Sequence, residues 1–139
     1  MKPASDELTP DGVAERPDRE QLLTVRPEDH GDVLVLRVQG DIDGLTAHRL
    51  SSAIAEAFRV LMARTLVLDL TQVRFLGSVG LRTLRDSARE ASVREGFQPL
   101  RVVVDHNRPV IRPIEIVGLD QILALYDSVE DAIAAGDLR

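Results

Sequence analysis

From residue 20 onward the apolar residues fall into short dense runs with regular punctuation between them. Residues 21–26 (QLLTVR) predict a first strand, which Pro27 is expected to close, and residues 28–32, with Gly31, read as a turn. Residues 33–38 (VLVLRV) form a continuous aliphatic run before Gly40, the pattern of a strand buried on both faces. The two strands make a hairpin. Ala47, Leu50, Ile54, Ala57, Phe58 and Leu61 then recur at spacings of three and four, which gives a helix one apolar face. Residues 66–70 (LVLDL) predict a central strand followed by a loop. Leu81, Leu84, Ala88 and Ala91 return to helical spacing, from about Ser78 to a stop at Gly96. Residues 100–104 (LRVVV) predict another strand.

The last third is read from its caps. Asn107 suits a helix cap and Pro109 the first turn of a helix carrying Val110, Ile114 and Val117, with Gly118 closing it. Pro113 inside that helix lacks a backbone donor and should distort or shorten it. Residues 122–126 predict a short final strand. Ser128 three residues before Asp131 resembles a capping box for an alanine-rich helix over 129–135. The order β-β-α-β-α-β-α-β-α demands a largely parallel sheet with right-handed crossovers. The expected fold is one α/β domain over residues 20–139, with a mixed, mostly parallel sheet, an opening hairpin and about four helices. Residues 1–19, with three prolines, five acids and few apolar side chains, are expected to form a disordered N-terminal arm.

Composition narrows the chemistry. The chain has 139 residues, enough for one domain, and only 3% are aromatic, so the core must be aliphatic. It has no cysteine, which excludes thiol catalysis, disulfides and zinc knuckles. Of its seventeen Lys and Arg residues the single lysine is Lys2, so no P-loop, Schiff-base or receiver-type lysine exists inside the fold. His30, His48 and His106 stand too far apart in sequence for a local metal site, and no cofactor motif is present. A net charge of −6 argues against a nucleic-acid or anionic-membrane binder. No apolar stretch of signal-peptide or membrane-span length occurs, so a cytoplasmic location is expected.

Residues 66–84 (LVLDLTQVRFLGSVGLRTL) carry the candidate chemistry. A buried strand leads to Gly77-Ser78-Val79-Gly80 and then to an amphipathic helix, and sites collect at the carboxyl ends of parallel strands. Ser78 at a helix start can cap free backbone N–H groups, or carry a phosphate opposite the positive end of the helix dipole. Four other readings fail locally. A nucleophile elbow needs glycine two residues before the serine, where Leu76 stands. A P-loop needs lysine where Leu81 follows Gly80. A receiver-type acid near the end of the strand lacks its lysine. A nucleic-acid GxxG clamp should join two helices and carry basic residues.

In its landmarks the chain resembles the STAS family, whose small members are anti-sigma factor antagonists. Gly40-Asp41-Ile42-Asp43 followed by Thr46-Ala47 is similar to the family's G-x-[LI]-D and T-A elements. LVLDLTQVRFLGSVGLRTL is similar to its strand-D-L-loop-F-[ML]-D-S-S-G-L pattern, and residues 109–119 to its late helix ending in Gly-Leu. The likeness covers roughly residues 20–136. It implies a switch rather than an enzyme. Such proteins bind an anti-sigma factor that is also a serine kinase, are released by phosphorylation, and are reset by a serine phosphatase. Carried onto this chain, the phosphoacceptor is Ser78. Gly77 stands where the pattern has Asp, and Val79 where it has the second Ser.

The resemblance places Asp41, Asp43, Thr46, Leu76, Gly77, Val79, Arg82 and Arg85 at the partner-facing edge. Read from the residues alone, Asp41 and Asp43 also suit helix capping, and Arg82, Arg85 and Arg89 a solvated helix face. The expected function is antagonism of an anti-sigma factor, gated at Ser78, with no catalytic residue, metal, cofactor, direct nucleic acid or membrane. The alternatives are a non-phosphorylated STAS scaffold or small-ligand sensor, and, more weakly, a hydrolase using Ser78.

Overall fold

A computed structural model of the chain describes residues 22–94, 99–106 and 110–136. The expected arm (1–19), the Gly96 stop and the Asn107–Pro109 cap lie outside the described residues. The elements are β1 (Leu23–His30), β2 (Val33–Ile42), α1 (Ala47–Val60), β3 (Thr65–Leu76), α2 (Ser78–Val93), β4 (Arg101–Val103), α3 (Ile111–Ile116), a 3-10 turn (Leu119–Gln121), β5 (Ala124–Tyr126) and α4 (Val129–Ala134). The sheet order is β1-β2-β3-β4-β5, with β1 and β2 antiparallel and every other pair parallel. This is the expected α/β class with an opening hairpin and four α-helices.

Three crossovers advance in the same direction across the sheet. Right-handed connections therefore place α1, α2 and α3 on one face. Their apolar stripes pack there against Leu34, Leu36, Val38, Leu66, Leu68, Leu70 and Val102 in a single core. The alternate strand residues Val33, Val35, Val67 and Val103 point to the other face, where Val129 and Ala132 of α4 cover them. The run 33–36 is thus buried on both faces, as its continuous apolarity predicts.

Several predicted boundaries move, each for a local reason. The first strand does not stop at Pro27: β1 continues to His30, with Pro27 opposite Leu36. Among the described residues β1 is an edge strand, with one side unpaired toward which a missing donor can face. The turn shrinks to Gly31-Asp32, with Gly31 at φ +71, the glycine-first geometry of a tight hairpin. Nor does β2 stop at Gly40. The chain passes through it at φ +120, and only glycine fits, since a Cβ there would lie 1.8 Å from the Leu22 carbonyl oxygen. The loop expected after Leu70 is strand. Two register shifts against β2 put extra residues into β3, and its buried positions Leu70, Val73 and Leu76 come three apart instead of two. The late strands are shorter than expected, and the 3-10 turn occupies part of the gap before β5. Pro113 sits third in the six-residue α3, within the first turn, where the backbone N–H groups have no intrahelical acceptor to lose.

Candidate functional site

The carboxyl ends of β2 and β3 lie side by side, with Asp41 paired to Phe75 and Ile42 to Leu76. The Gly77 N–H donates to the Ile42 carbonyl at 2.9 Å, and Ser78 opens α2. The turns after both strands therefore share one end of the sheet, where parallel folds expose strand-end loops.

Ser78 is exposed and is the first helical residue. The cap position belongs to Gly77, which offers no side chain, so Ser78 is not the N-cap that its sequence position allows. Among the described residues its hydroxyl has no hydrogen-bond partner. The two flanking glycines differ in kind. Gly77 has an ordinary φ of −87, and a Cβ there would only press on the Phe75 ring at 3.2 Å. At Gly80 a Cβ would lie 2.6 Å from both Ile42 Cγ2 and Leu76 Cδ1, so only glycine lets α2 approach the sheet edge this closely.

The neighbouring turn is built by Asp43 and Thr46. Asp43 Oδ1 accepts from the Leu45 N–H at 2.9 Å and the Thr46 N–H at 3.1 Å. The Thr46 hydroxyl accepts from the Asp43 N–H at 2.9 Å and donates to the Asp41 carbonyl at 2.6 Å. Thr46 is fully buried and Leu76 nearly so; both shape the site from beneath and offer a partner no surface. Asp41 lies within β2, not in the turn, and pairs with Arg74 at 3.4 Å. Gly77, Ser78, Val79, Arg82 and Arg85 are exposed or half-exposed on the same end or along α2. Arg85 reaches its neighbour Asp86 at 3.2 Å. His106 ties the loops after β4 and β5 through Asp127 at 2.6 Å.

The sequence reading missed the exposed apolar residues Leu45 (54%) and Phe75 (52%), which with Val79 lie on the end of the sheet that carries Ser78. Phe75 sits in an apolar strand motif and reads as core. It alternates with the buried Leu76 at the end of β3, and its side of the strand is exposed there. Asp69, the acid at the receiver-like position, is buried and fully engaged. It accepts from Arg37 at 2.7 Å, from the Thr71 hydroxyl at 2.7 Å and from the Thr71 N–H at 3.0 Å, holding the first bulge. Among the described residues no group of three or more His, Asp or Glu could hold a metal ion, and no helix is long and apolar enough to cross a membrane.

The STAS domain model matches residues 24–132. The anti-sigma-F factor antagonist RsfB of Mycobacterium tuberculosis is 38% identical over 111 residues, covering 80% of this chain and 87% of that protein. The anti-sigma F factor antagonist of Paenibacillus polymyxa is 28% identical, covering 80% and 92%. The crystal structure of an anti-sigma factor antagonist from Mycobacterium paratuberculosis superposes with a TM-score of 0.68 at 37% identity, covering 80% and 91%. SpoIIAA in its unphosphorylated form, 18% identical with a TM-score of 0.54 over 79% and 94% of the two chains, shares the fold.

Proposed function

Because the chain belongs to the STAS domain family, we propose that it is an anti-sigma factor antagonist whose hold on its partner is gated by phosphorylation of Ser78. The partner is an anti-sigma factor that is also an ATP-dependent serine kinase. Binding it frees the sigma factor, so transcription is regulated through protein–protein contact alone. A serine phosphatase resets the switch.

One observation carries this reading. Ser78 is exposed and hydrogen-bonded to nothing among the described residues. It stands at a helix start, at the same end of the sheet as the exposed Leu45, Phe75 and Val79. The kinase would transfer the γ-phosphoryl of ATP to Ser78 Oγ, releasing ADP and the hydroxyl proton. The product carries about −2 charge at the head of α2, where helix geometry favours an anion, so the domain can stay folded. The same charge on a docking surface that includes exposed apolar side chains must be desolvated on binding, which opposes the complex. Asp41, Gly77, Val79, Arg82 and Arg85 contribute the surface; Asp43, Thr46 and Leu76 hold its shape.

Incubation with the cognate kinase and ATP should add one phosphate, mapped to Ser78 by mass spectrometry. Ser78→Asp should weaken binding to the unmodified kinase at least tenfold. A wild-type chain that binds the kinase yet stays unmodified would support instead a non-phosphorylated STAS scaffold. That second reading is favoured by Gly77, where the family pattern has an acid and this fold sets the Phe75 ring.

A further inference from the structure

The helix α2 sorts its charges by side. Asp86 and Glu90 line the cleft toward α1, together with Ser51 and Ile54. Arg85 and Arg89 line the opposite flank, a groove of about 540 Å³ between α2 and the segment that joins α3 to the 3-10 turn. Ala88 and Leu119 contribute to its lining, and Val117 and Ile122 form its far wall. Val117 and Ile122 keep 55% and 47% of their surface exposed. Gly118 between them and α2 is left-handed, at φ +80, and projects nothing into the space. Among the described residues Arg82 and Arg89 have no ion-pair partner, and Arg85 has only its sequence neighbour Asp86.

We propose that this groove is a docking site for an acidic amphipathic helix of a protein partner. Its apolar face would rest on Val117 and Ile122, and its carboxylates would meet Arg85 and Arg89. The charge argument is specific. On a chain of net charge −6, a cationic rim beside an apolar wall is complementary to a segment that is both acidic and apolar. Arg82, Arg85 and Arg89 span seven residues, about 10 Å along the axis, so the partner's acids should repeat over two helical turns. A second copy of this chain docked groove to groove about a two-fold axis would bring two cationic rims into one interface. A nucleic acid would use the cations and leave the apolar wall without a role. Arg89 lies eleven residues from Ser78, about 16 Å along α2, so the groove extends away from Ser78, sharing only Arg82 and Arg85 with the surface proposed there, and its docking does not require phosphorylation of Ser78.

The test uses the full, isotope-labelled chain and a synthetic helical peptide of about four turns, with leucines on one face and glutamates at i, i+3 and i+7 beside it. A control peptide carries lysines in place of the glutamates. Titration with the acidic peptide should shift the amide signals of Arg85, Arg89, Gly118 and Ile122, and rising salt should weaken it. Arg89→Glu and Ile122→Ser should each reduce affinity at least tenfold while amide signals outside the groove stay in place. Equal binding of the lysine peptide, shifts centred on Ser78, or no shift at all would overturn the proposal. So would concentration-dependent groove shifts without peptide, which would assign the face to self-association.

Discussion

Residues around Ser78 separate into those that face a partner and those that hold the surface in shape. Gly80 is the sharper of the two glycines. Gly80→Ala pushes a methyl into Ile42 and Leu76 and should cost about 1–3 kcal/mol in urea unfolding. Gly77→Ala meets only the movable Phe75 ring and should cost less than about 0.5 kcal/mol by the same measurement. Thr46→Val keeps the shape but removes the acceptor of the half-buried Asp43 N–H and the donor to the Asp41 carbonyl, for a loss of about 1–3 kcal/mol. If Thr46 acted through surface contact instead, that variant would change partner affinity with no change in the unfolding midpoint. The place of Ser78 at a helix start was legible, because glycine-rich punctuation precedes a clear helical period. That the cap is Gly77, and that Asp41 belongs to the strand while Asp43 fastens the turn, was not. These depend on where β2 ends against β3.

The elements show why some boundaries were legible and others not. The helices α1 and α2 announce themselves because their apolar stripes keep one period against one core. The second half of β3 does not, since its two register shifts replace alternation with a spacing of three. Its first bulge is held by Asp69, which accepts from Arg37, and Arg37 also donates to Glu28 on the edge strand at 2.7 Å. The Arg37 guanidinium, with a smaller contribution from His30, holds the Glu28 carboxyl below its ordinary 4.5. The folded carboxyl is therefore the stronger acid, so its stabilisation is complete above the ordinary value and disappears as pH falls through the lowered one. Glu28→Gln should accordingly flatten the acid side of the pH–stability curve and leave its slope near neutrality unchanged, as read from urea midpoints across pH.

At the scale of the whole molecule, winding in one direction leaves the face opposite α1–α3, among the described residues, to the six-residue α4. Ser128 starts that helix by accepting from the Asp131 N–H at 3.0 Å, as its spacing predicts. Its end is held from the far side of the sequence. The buried Arg101 of β4 donates to the carbonyls of Ala132, Ala135 and Gly136 at 2.8, 2.9 and 2.6 Å, placing its charge at the helix C-terminus. Arg101→Met should cost about 1.5–3 kcal/mol, and hydrogen exchange should speed up in α4 before it does in α1 or α2. Equal loss of protection everywhere would mean that α4 is not separately anchored. By itself the sequence determined the fold class, the order of elements, the aliphatic core and the serine at the head of α2, because periodicity and punctuation are local and one-dimensional. Only the tertiary structure decided that Phe75 and Leu45 face outward, that Thr46 lies inward, and that α2 turns its arginines toward a groove. Each of these follows from register and from packing between distant segments, and no local pattern encodes which neighbour a side chain will meet.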